Sequence, residues 1–178
     1  SPVVNAPGPN ATAVKGLVTG GIMLAARNHA PPIDGVRALA PGADFEKRVE
    51  EGKKKFAGTE VRGKTLGVVG LGAIGVEVAN SALALGMNVL GYDPQITVQR
   101  AWQLSSSVEQ ALSLDDLFAR SDVITVHVPL ADATRGLVNE SRLKLLPKTG
   151  IVLNFSRAPI VDDAAIVDFI LRRARDTA

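Results

Sequence analysis

The sequence predicts an α/β fold built on a doubly wound parallel sheet. From residue 65 onward, short apolar runs typical of buried strands alternate with segments of helical periodicity. A Gly-x-Gly-x-x-Gly turn directly follows the first of these strands and opens a helix. Strands separated by helices of this length require right-handed crossovers, which place the strands parallel in one sheet with helices on both faces.

The first 60 residues are predicted to be a helical segment that packs on the α/β core of residues 61–178. In chain order, its elements are an extended stretch over residues 1–9, a helix from the cap residue Asn10 to Asn28, a Pro- and Gly-rich connector over residues 31–42 and a charged helix from Asp44 to Phe56. Glycines inside the first helix each cost about 1 kcal/mol relative to alanine. Such a glycine face is typical of a helix that another backbone approaches closely.

The core is divided by residues that start and stop helices. Ser113, with Asp116 completing a capping box, Asn139 and Asp162 are placed to cap helices, whereas Gly86 and Pro147 end them. The predicted strands are Thr65–Val69, Asn88–Tyr92, a short strand around Ser106–Val108, Asp122–His127 and Ile151–Phe155. The predicted helices are Ala73–Leu85, a turn at Thr97–Gln103, Ser113–Ala119, Asn139–Leu146 and Asp162–Ala174.

The composition argues against several classes of site and partner. The chain has 178 residues, a net charge of +2, two histidines and no cysteine. This charge provides no broad basic surface, so no nucleic-acid partner is expected. Without cysteine there are no disulfides or thiolate metal sites, and no metal is expected. No apolar run reaches the roughly 18 residues that span a bilayer, so no membrane partner is expected. The absence of cysteine favours a cytoplasmic location.

The run Gly58–Thr65 matches the phosphate-binding pattern of nucleotide triphosphatases letter for letter. That loop has to follow a buried strand and open a helix, whose amide groups then bind phosphate. Here polar, lysine-rich sequence precedes the glycines and the strand follows them. We therefore interpret Gly63 and Lys64 as the turn into the first strand.

Gly70, Gly72 and Gly75 form the glycine turn between the first strand and the first core helix. In such a turn the first glycine allows the tight bend, the second lets a pyrophosphate approach the backbone, and the third lets helix and strand pack closely. Asp93 lies 18 residues beyond Gly75, at the end of the next strand. A carboxylate there binds the adenosine ribose hydroxyls and repels a 2′-phosphate, which predicts NAD and not NADP. The alternative is an ordinary glycine turn with Asp93 as a loop residue.

Several runs of the chain resemble the D-isomer-specific 2-hydroxyacid dehydrogenases. The runs are Gly63–Gly75, Gly91–Pro94, Ser121–Leu130, Thr134–Asn139, Asn154–Arg157 and Val161-Asp162. Within that family, residues 4–14 and the Lys-rich helix before Phe56 are most similar to the bacterial D-3-phosphoglycerate dehydrogenases. The resemblance implies a Rossmann-type NAD-binding domain and hydride transfer between NAD and a small 2-hydroxy acid. For this branch of the family, the acid is 3-phosphoglycerate and the reaction is the first step of L-serine biosynthesis.

The resemblance also implies cofactor contacts beyond the three glycines and Asp93. The additional residues are Ala73, Ile74, Tyr92, Pro94, His127, Val128, Pro129, Thr134, Phe155, Ser156 and Arg157. His127 is a proton-donor candidate on sequence alone, but a histidine between two valines and before proline is more often structural. In the family the catalytic histidine lies elsewhere, so we do not assign that role to His127.

Arg157 is the predicted catalytic residue. It follows a strand at its carboxyl end, where ligands bind in open α/β sheets. A guanidinium there can bind a substrate carboxylate bidentately and polarise the adjacent carbonyl. The alternative is an arginine that ends a strand in a salt bridge, and the resemblance favours the catalytic role. Ala158-Pro159 follows where the family commonly has glycine, which leaves the shape of this loop open.

The resemblance further implies groups that this chain does not contain. The family removes the hydroxyl proton with a histidine, oriented by a glutamate, and both lie downstream of the arginine. Its substrate domain is built mainly from residues ahead of this chain's start. We therefore expect a C-terminally truncated NAD-binding domain that binds NAD(H) without turnover. We also expect a homodimer formed through this domain, with residues 1–60 packed on the dimer partner. The alternatives are a family member acting on glyoxylate, hydroxypyruvate or lactate, and a non-catalytic, NAD-sensing protein similar to the family's corepressors.

Overall fold

The computed structural model describes residues 8, 10–27, 30–39, 41, 42, 44–53 and 57–176. Three helices precede the sheet in this part of the chain: α1 (Ala11–Ala26), α2 (Ala30–Arg37) and α3 (Phe45–Lys53). Apart from Gly8, the stretch predicted to be extended, residues 1–9, lies outside the described residues, as do residues 54–56 at the predicted end of α3.

The connector predicted over residues 31–42 is wrong, because α2 occupies most of it. Pro31 and Pro32 lie in the first turn of this helix, where a missing N–H removes no intrahelical hydrogen bond. The start of α1 was predicted correctly, although the Asn10 side chain makes no capping hydrogen bond. The first turn is held by backbone instead, since Ala11 N–H donates to Gly8 O at 3.0 Å.

The described residues form a five-stranded sheet in the order β3-β2-β1-β4-β5, with all neighbours parallel. The strands are β1 (Thr65–Val69), β2 (Asn88–Tyr92), β3 (Glu109–Gln110), β4 (Val123–Val126) and β5 (Ile151–Asn154). The chain proceeds outward from β1 to β3 and then returns to β4 on the other side of β1. This is the doubly wound order, with its switch point between β1 and β4, and it confirms the predicted fold class.

The core helices are α4 (Ala73–Ala84), α5 (Val98–Gln103), α6 (Leu114–Arg120), α7 (Glu140–Leu143) and α8 (Asp163–Asp176), with 3-10 turns at Asp132–Thr134 and Ala158–Ile160. Three helices begin at the predicted caps. Ser113 Oγ accepts the Asp116 N–H at 3.0 Å, Asn139 Oδ1 that of Arg142 at 3.1 Å, and Asp162 Oδ1 that of Ala165 at 2.9 Å.

Other boundaries differ from the prediction for local reasons. The third strand begins at Glu109 and not near Ser106, because Val108 N–H bonds to Ser105 O in a turn. Asp116 does not complete a capping box on Ser113, since its carboxylate accepts from the Leu112 N–H at 3.1 Å. α7 ends three residues before Leu146, and tighter turns carry the chain to Pro147. The remaining predicted ends differ by one or two residues.

The sheet separates two apolar cores. One lies under α1 and α4 and includes Val18, Ile22 and Leu66. The other lies under α6, α7 and α8 and is centred on Phe118, which is fully buried. Among the described residues, no helix is long and apolar enough to cross a membrane.

Candidate functional site

The carboxyl ends of four strands meet at one edge of the sheet. By register, Val69 of β1 lies beside Tyr92 of β2 and Val126 of β4, and Val126 lies beside Asn154 of β5. The residues that leave these strands therefore emerge side by side at the switch point. Most of the predicted site residues follow one of these four strand ends, so the fold brings them to one edge, where open α/β sheets bind ligands.

Two glycines of the turn are required by the protein's own packing. Gly70 has a φ of +91°, and a Cβ there would lie 2.8 Å from Val128 Cγ1. A Cβ at Gly75 would lie 1.9 Å from the carbonyl oxygen of Gly70, so any side chain there would force α4 away from the turn. These two positions hold the start of α4 against the end of β1.

Gly72 differs from its two neighbours because it faces open space. A Cβ at Gly72 would have no heavy atom within 4 Å, and the residue is exposed at the N-cap of α4 with no side-chain cap. The amide groups of Ala73, Ile74 and Gly75 in the first turn thus have no intrahelical acceptor. An open backbone before a twelve-residue helix suits a pyrophosphate group, which those amides and the helix dipole would bind.

Asp93 joins the glycine turn to the loop after β2. Its Oδ2 accepts the Leu71 N–H at 2.8 Å, and its Oδ1 accepts the Gln95 N–H at 2.9 Å. Each carboxylate oxygen has a further lone pair, so these bonds leave room for two ribose hydroxyls. The half-buried carboxylate therefore fits an adenosine ribose while it also fixes the turn.

His127 is the first residue after β4, and its imidazole is hydrogen-bonded within the protein. Its Nε2 lies 2.9 Å from Oγ1 of Thr125, which is fully buried. Burial lowers the pKa of His127 from 6.5 to about 4, so the ring is neutral at pH 7. This environment supports the structural interpretation of His127 over a role as proton donor.

The loop after β4 is closed by Thr134. Its Oγ1 donates to Pro129 O at 2.7 Å and accepts the Ala131 N–H at 2.8 Å. Pro129 is exposed and Val128 is half-buried beside Gly70. Val128 therefore lies next to the glycine turn, and the Thr134 hydroxyl is used within its own loop.

The β5 end presents Arg157 to solvent. The Arg157 side chain is exposed and makes no ion pair or hydrogen bond with the residues that the structure describes. The salt-bridge alternative therefore has no partner in that part of the chain. Phe155 packs on α1, where a Cβ at Gly21 would lie 3.2 Å from its ring.

Asn154 is a residue of this site that the sequence analysis missed. Its Oδ1 accepts the Ser156 N–H at 3.0 Å, and its Nδ2 donates to Arg157 O at 3.0 Å. The Ser156 hydroxyl donates to Val128 O at 2.6 Å, which joins the β5 end to the β4 end. An asparagine at the end of an apolar strand, two residues before a serine, is typical of such a turn and was the available signal.

The Gly58–Thr65 run lies at the opposite edge of the sheet. Gly63 has a φ of +76°, and Lys64 Nζ lies 3.4 Å from Asp122 Oδ1. β1 follows at Thr65, so the run forms the predicted turn into a strand and opens no helix. No group of three or more potential metal ligands occurs among the residues described.

Comparison with known proteins decides the family. The sequence profile of the D-isomer specific 2-hydroxyacid dehydrogenase, NAD binding domain, matches residues 33–177. The D-3-phosphoglycerate dehydrogenase of Archaeoglobus fulgidus is 43% identical over 173 residues, covering 94% of this chain. The chain belongs to the D-isomer-specific 2-hydroxyacid dehydrogenase family. In this family it corresponds to the NAD-binding domain, as predicted.

Two further relatives in the 2-hydroxyacid dehydrogenase family show how much of each protein the similarity covers. The D-3-phosphoglycerate dehydrogenase of Methanocaldococcus jannaschii is 40% identical over 166 residues, covering 93% of this chain. The apo structure of Escherichia coli D-lactate dehydrogenase has a TM-score of 0.76 at 27% identity and covers 96% of this chain and 49% of that one. The chain spans 29% of the length of each archaeal relative.

Ala158-Pro159, the departure from the common family pattern, is accommodated without backbone strain. Both residues lie in the 3-10 turn Ala158–Ile160, with proline in the first positions, where its missing N–H removes no bond. Pro159 O accepts the Gly136 N–H at 2.9 Å, and Ile160 is fully buried. In this 2-hydroxyacid dehydrogenase domain, the turn therefore anchors the backbone that follows Arg157.

Proposed function

We propose that the chain is the NAD-binding domain of a D-3-phosphoglycerate dehydrogenase, which oxidises 3-phosphoglycerate to 3-phosphohydroxypyruvate in the first step of L-serine biosynthesis. The observation that carries the proposal is the exposed Arg157 guanidinium at the same sheet edge as the open N-terminus of α4. The substrate is inferred from the two archaeal relatives, both of which are named D-3-phosphoglycerate dehydrogenases. Absence of cysteine supports a cytoplasmic location.

Each group at this edge has a defined chemical role in the proposal. The first-turn amides of α4 bind the pyrophosphate, and Asp93 binds the adenosine ribose and excludes a 2′-phosphate. NAD, when bound, supplies the hydride acceptor. Arg157 binds the substrate carboxylate bidentately and stabilises negative charge on the neighbouring oxygen. His127 is a weak base for the hydroxyl proton, because burial lowers its pKa to about 4 and its Nε2 bonds to Thr125; in the family a histidine, oriented by a glutamate, takes this proton.

The remaining predicted contacts surround these groups. Residues proposed to line the cofactor are Gly70, Gly72, Ala73, Ile74, Gly75, Tyr92, Pro94, His127, Val128, Pro129, Thr134, Phe155 and Ser156. For Thr134 and Ser156, the proposed contacts run through the backbone or a remaining lone pair, since both hydroxyls already donate to carbonyl oxygens.

Cofactor binding is tested on the chain itself, and turnover on the longest protein that its gene encodes. We expect the chain to bind NADH with micromolar affinity and NADPH at least tenfold more weakly, measured by nicotinamide fluorescence. The longer protein should reduce NAD with 3-phosphoglycerate in preference to glycerate or lactate. Equal affinity for the two nucleotides would contradict the assignment of Asp93.

A second substrate has one observation in its favour, the similarity to a D-lactate dehydrogenase structure. Turnover of D-lactate, glyoxylate or hydroxypyruvate above that of 3-phosphoglycerate would establish that alternative. NAD binding with no turnover of any of these acids by the longer protein would favour the NAD-sensing alternative. The two archaeal relatives share higher identity with the chain than the lactate enzyme does, which is why 3-phosphoglycerate is preferred.

We further propose that the chain forms a homodimer through the outer face of α1. A Cβ at Gly16 or Gly20 would have no heavy atom within 4 Å, so both glycines face open space. Leu17 and Leu24 on the same side are 62% and 58% exposed. An apolar helix face with two glycines allows a second helix to approach closely, and the family's use of this domain for dimerisation supports the assignment.

A further inference from the structure

We propose that Asn154 is a positioning residue for Arg157, acting through the backbone of the β5 end. The proposal rests on the proposed function of Arg157 in binding a substrate carboxylate. It follows from three side-chain hydrogen bonds at this strand end and from the freedom of the Arg157 side chain itself.

The Asn154 side-chain amide holds the backbone on both sides of the Arg157 Cα, through the Ser156 N–H and the Arg157 carbonyl. Its Oδ1 accepts the Ser156 N–H at 3.0 Å, and its Nδ2 donates to Arg157 O at 3.0 Å. The oxygen and the nitrogen of one side-chain amide thus both bond to the backbone of the three residues that follow Asn154. An amide is the side-chain group that supplies a donor and an acceptor with this spacing, whereas aspartate supplies acceptors only.

The same carbonyl is held from the other side by the turn that follows. Ile160 N–H donates to Arg157 O at 3.1 Å, and the Ile160 side chain is fully buried. The Ser156 hydroxyl donates to Val128 O at 2.6 Å and so sets the height of the segment relative to the β4 end. The backbone at Arg157 is therefore determined by contacts to β5, to β4 and to the second apolar core.

The Arg157 guanidinium is not held by other side chains of the described residues, so its position depends on the backbone to which it is attached. The Arg157 side chain makes no hydrogen bond or ion pair with other residues in the described ranges, and it is exposed. The region that the guanidinium can reach is therefore set by where its Cα is held. Displacement of a binding group by about 1 Å typically lowers the rate of a reaction by about 100-fold.

Amide hydrogen exchange on the chain alone tests the local structure without any activity. In Asn154→Ala, the Ser156 amide should lose its protection, whereas Asn154→Asp should retain it because a carboxylate still accepts that bond. Asn88→Ala is the matched control, since the Asn88 Nδ2 donates to Gly63 O at the opposite edge of the sheet. Unchanged protection of Ser156 in Asn154→Ala would overturn the proposal.

Kinetics on the longest protein that the gene encodes test the functional consequence. Asn154→Ala and Asn154→Asp should each lower kcat/KM for the hydroxy acid by about 10- to 100-fold, since neither donates to Arg157 O, while the dissociation constant for NADH changes by a much smaller factor. Asn88→Ala should leave both quantities unchanged. Equal losses in NADH affinity and in kcat/KM would assign Asn154 to cofactor binding and overturn the proposal.

A double-mutant cycle separates positioning from a general effect on stability. In an Arg157→Ala background, Asn154→Ala should change kcat/KM by less than about twofold, because the group that it positions is already absent. The same loss in both backgrounds would overturn the proposal. Full activity of the single variant Arg157→Ala would instead contradict the proposed function of Arg157. The two failures are distinguishable, because only the second is seen in Arg157→Ala alone.

Discussion

At the scale of single residues, similar polar groups take different roles because their environments differ. His127 and Arg157 both emerge at the same sheet edge. The His127 ring is half-buried and bonded to Thr125, and burial lowers its pKa, whereas the Arg157 guanidinium is exposed and without a partner among the described residues. Of these two side chains, the Arg157 guanidinium is the one without a partner in the described ranges, which is why the catalytic proposal rests on it.

The first prediction concerns the pH dependence of stability. The unfolded chain binds a proton at His127 near pH 6.5, whereas the folded chain does so only near pH 4. The unfolded state therefore binds more protons between these values, and the free energy of unfolding falls as the pH is lowered through this window. The loss attributable to His127 is about 3 kcal/mol at most.

Urea unfolding at pH 7 and pH 4.5 measures this effect in wild type and in His127→Asn, which cannot titrate. The variant should lose less stability on acidification than the wild type, because other groups titrate equally in both. His29→Asn removes the chain's other histidine and is the matched control. Parallel pH profiles for wild type and His127→Asn would contradict the assigned cause.

The second prediction distinguishes the charge of Arg157 from its geometry. Arg157→Lys retains the charge but cannot bind a carboxylate bidentately, so kcat/KM for the hydroxy acid should fall by about 10- to 1,000-fold, with a larger loss in Arg157→Ala. NADH affinity, measured by fluorescence, should change little in both variants. Activity of Arg157→Lys equal to that of wild type would show that a point charge suffices at this position.

At the scale of elements, the sequence predicted best where a local chemical signal determines the structure. Ser113, Asn139 and Asp162 cap the helices assigned to them, because capping depends only on residues within one turn. α2 was missed because its two prolines are typical of a loop, and their place in a first turn is not visible from composition.

The candidate site was partly predictable for the same reason. The glycine turn and Asp93 are defined by spacing along the chain, so their common location followed from the βαβ order. The roles of Asn154 and Thr134 within their loops depend on which backbone groups the tertiary fold leaves unpaired. The asparagine two residues before a serine signals a turn at the end of β5, but the residue types do not specify that its amide also bonds to Arg157 O, and this role was missed.

The third prediction uses two glycines of one turn as a matched pair. Gly75→Ala should destabilise the domain by more than about 3 kcal/mol, because its Cβ would lie 1.9 Å from Gly70 O. Gly72→Ala has open space and should leave the free energy of unfolding within about 1 kcal/mol, while it lowers NADH affinity at least tenfold by obstructing the pyrophosphate. Urea unfolding and nicotinamide fluorescence measure the two effects.

The opposite result in either variant would contradict the role assigned to that glycine. A Gly72→Ala variant that binds NADH normally would show that no ligand approaches this backbone. A stable Gly75→Ala variant would show that α4 does not need its close contact with the turn.

At the scale of the whole molecule, α1 connects the candidate site to the proposed dimer surface. Its inner face contributes Val18 and Ile22 to a core, and Gly21 contacts the ring of Phe155 beside the β5 end. Its outer face presents Gly16, Gly20 and two exposed leucines. A cavity of about 900 Å³ lies between the end of α1 and the helices α2 and α3, lined by Arg27, Val36 and Val49 among others. The outer face of α1 is the feature that the proposed second copy would cover.

The last prediction is therefore a dimer that depends on the outer face of α1. Light scattering at tens of micromolar should give twice the chain mass for wild type, and Leu17→Asp with Leu24→Asp should give the monomer mass, because two carboxylates would be buried without partners. Both leucines are exposed within one chain, so the double variant should keep its helical circular dichroism and its NADH affinity. The pair Val167→Asp and Ile170→Asp on α8, which are 54% and 57% exposed, is the matched control and should remain dimeric. A monomeric wild type, or dissociation caused equally by the α8 pair, would contradict the assignment of α1 as the interface.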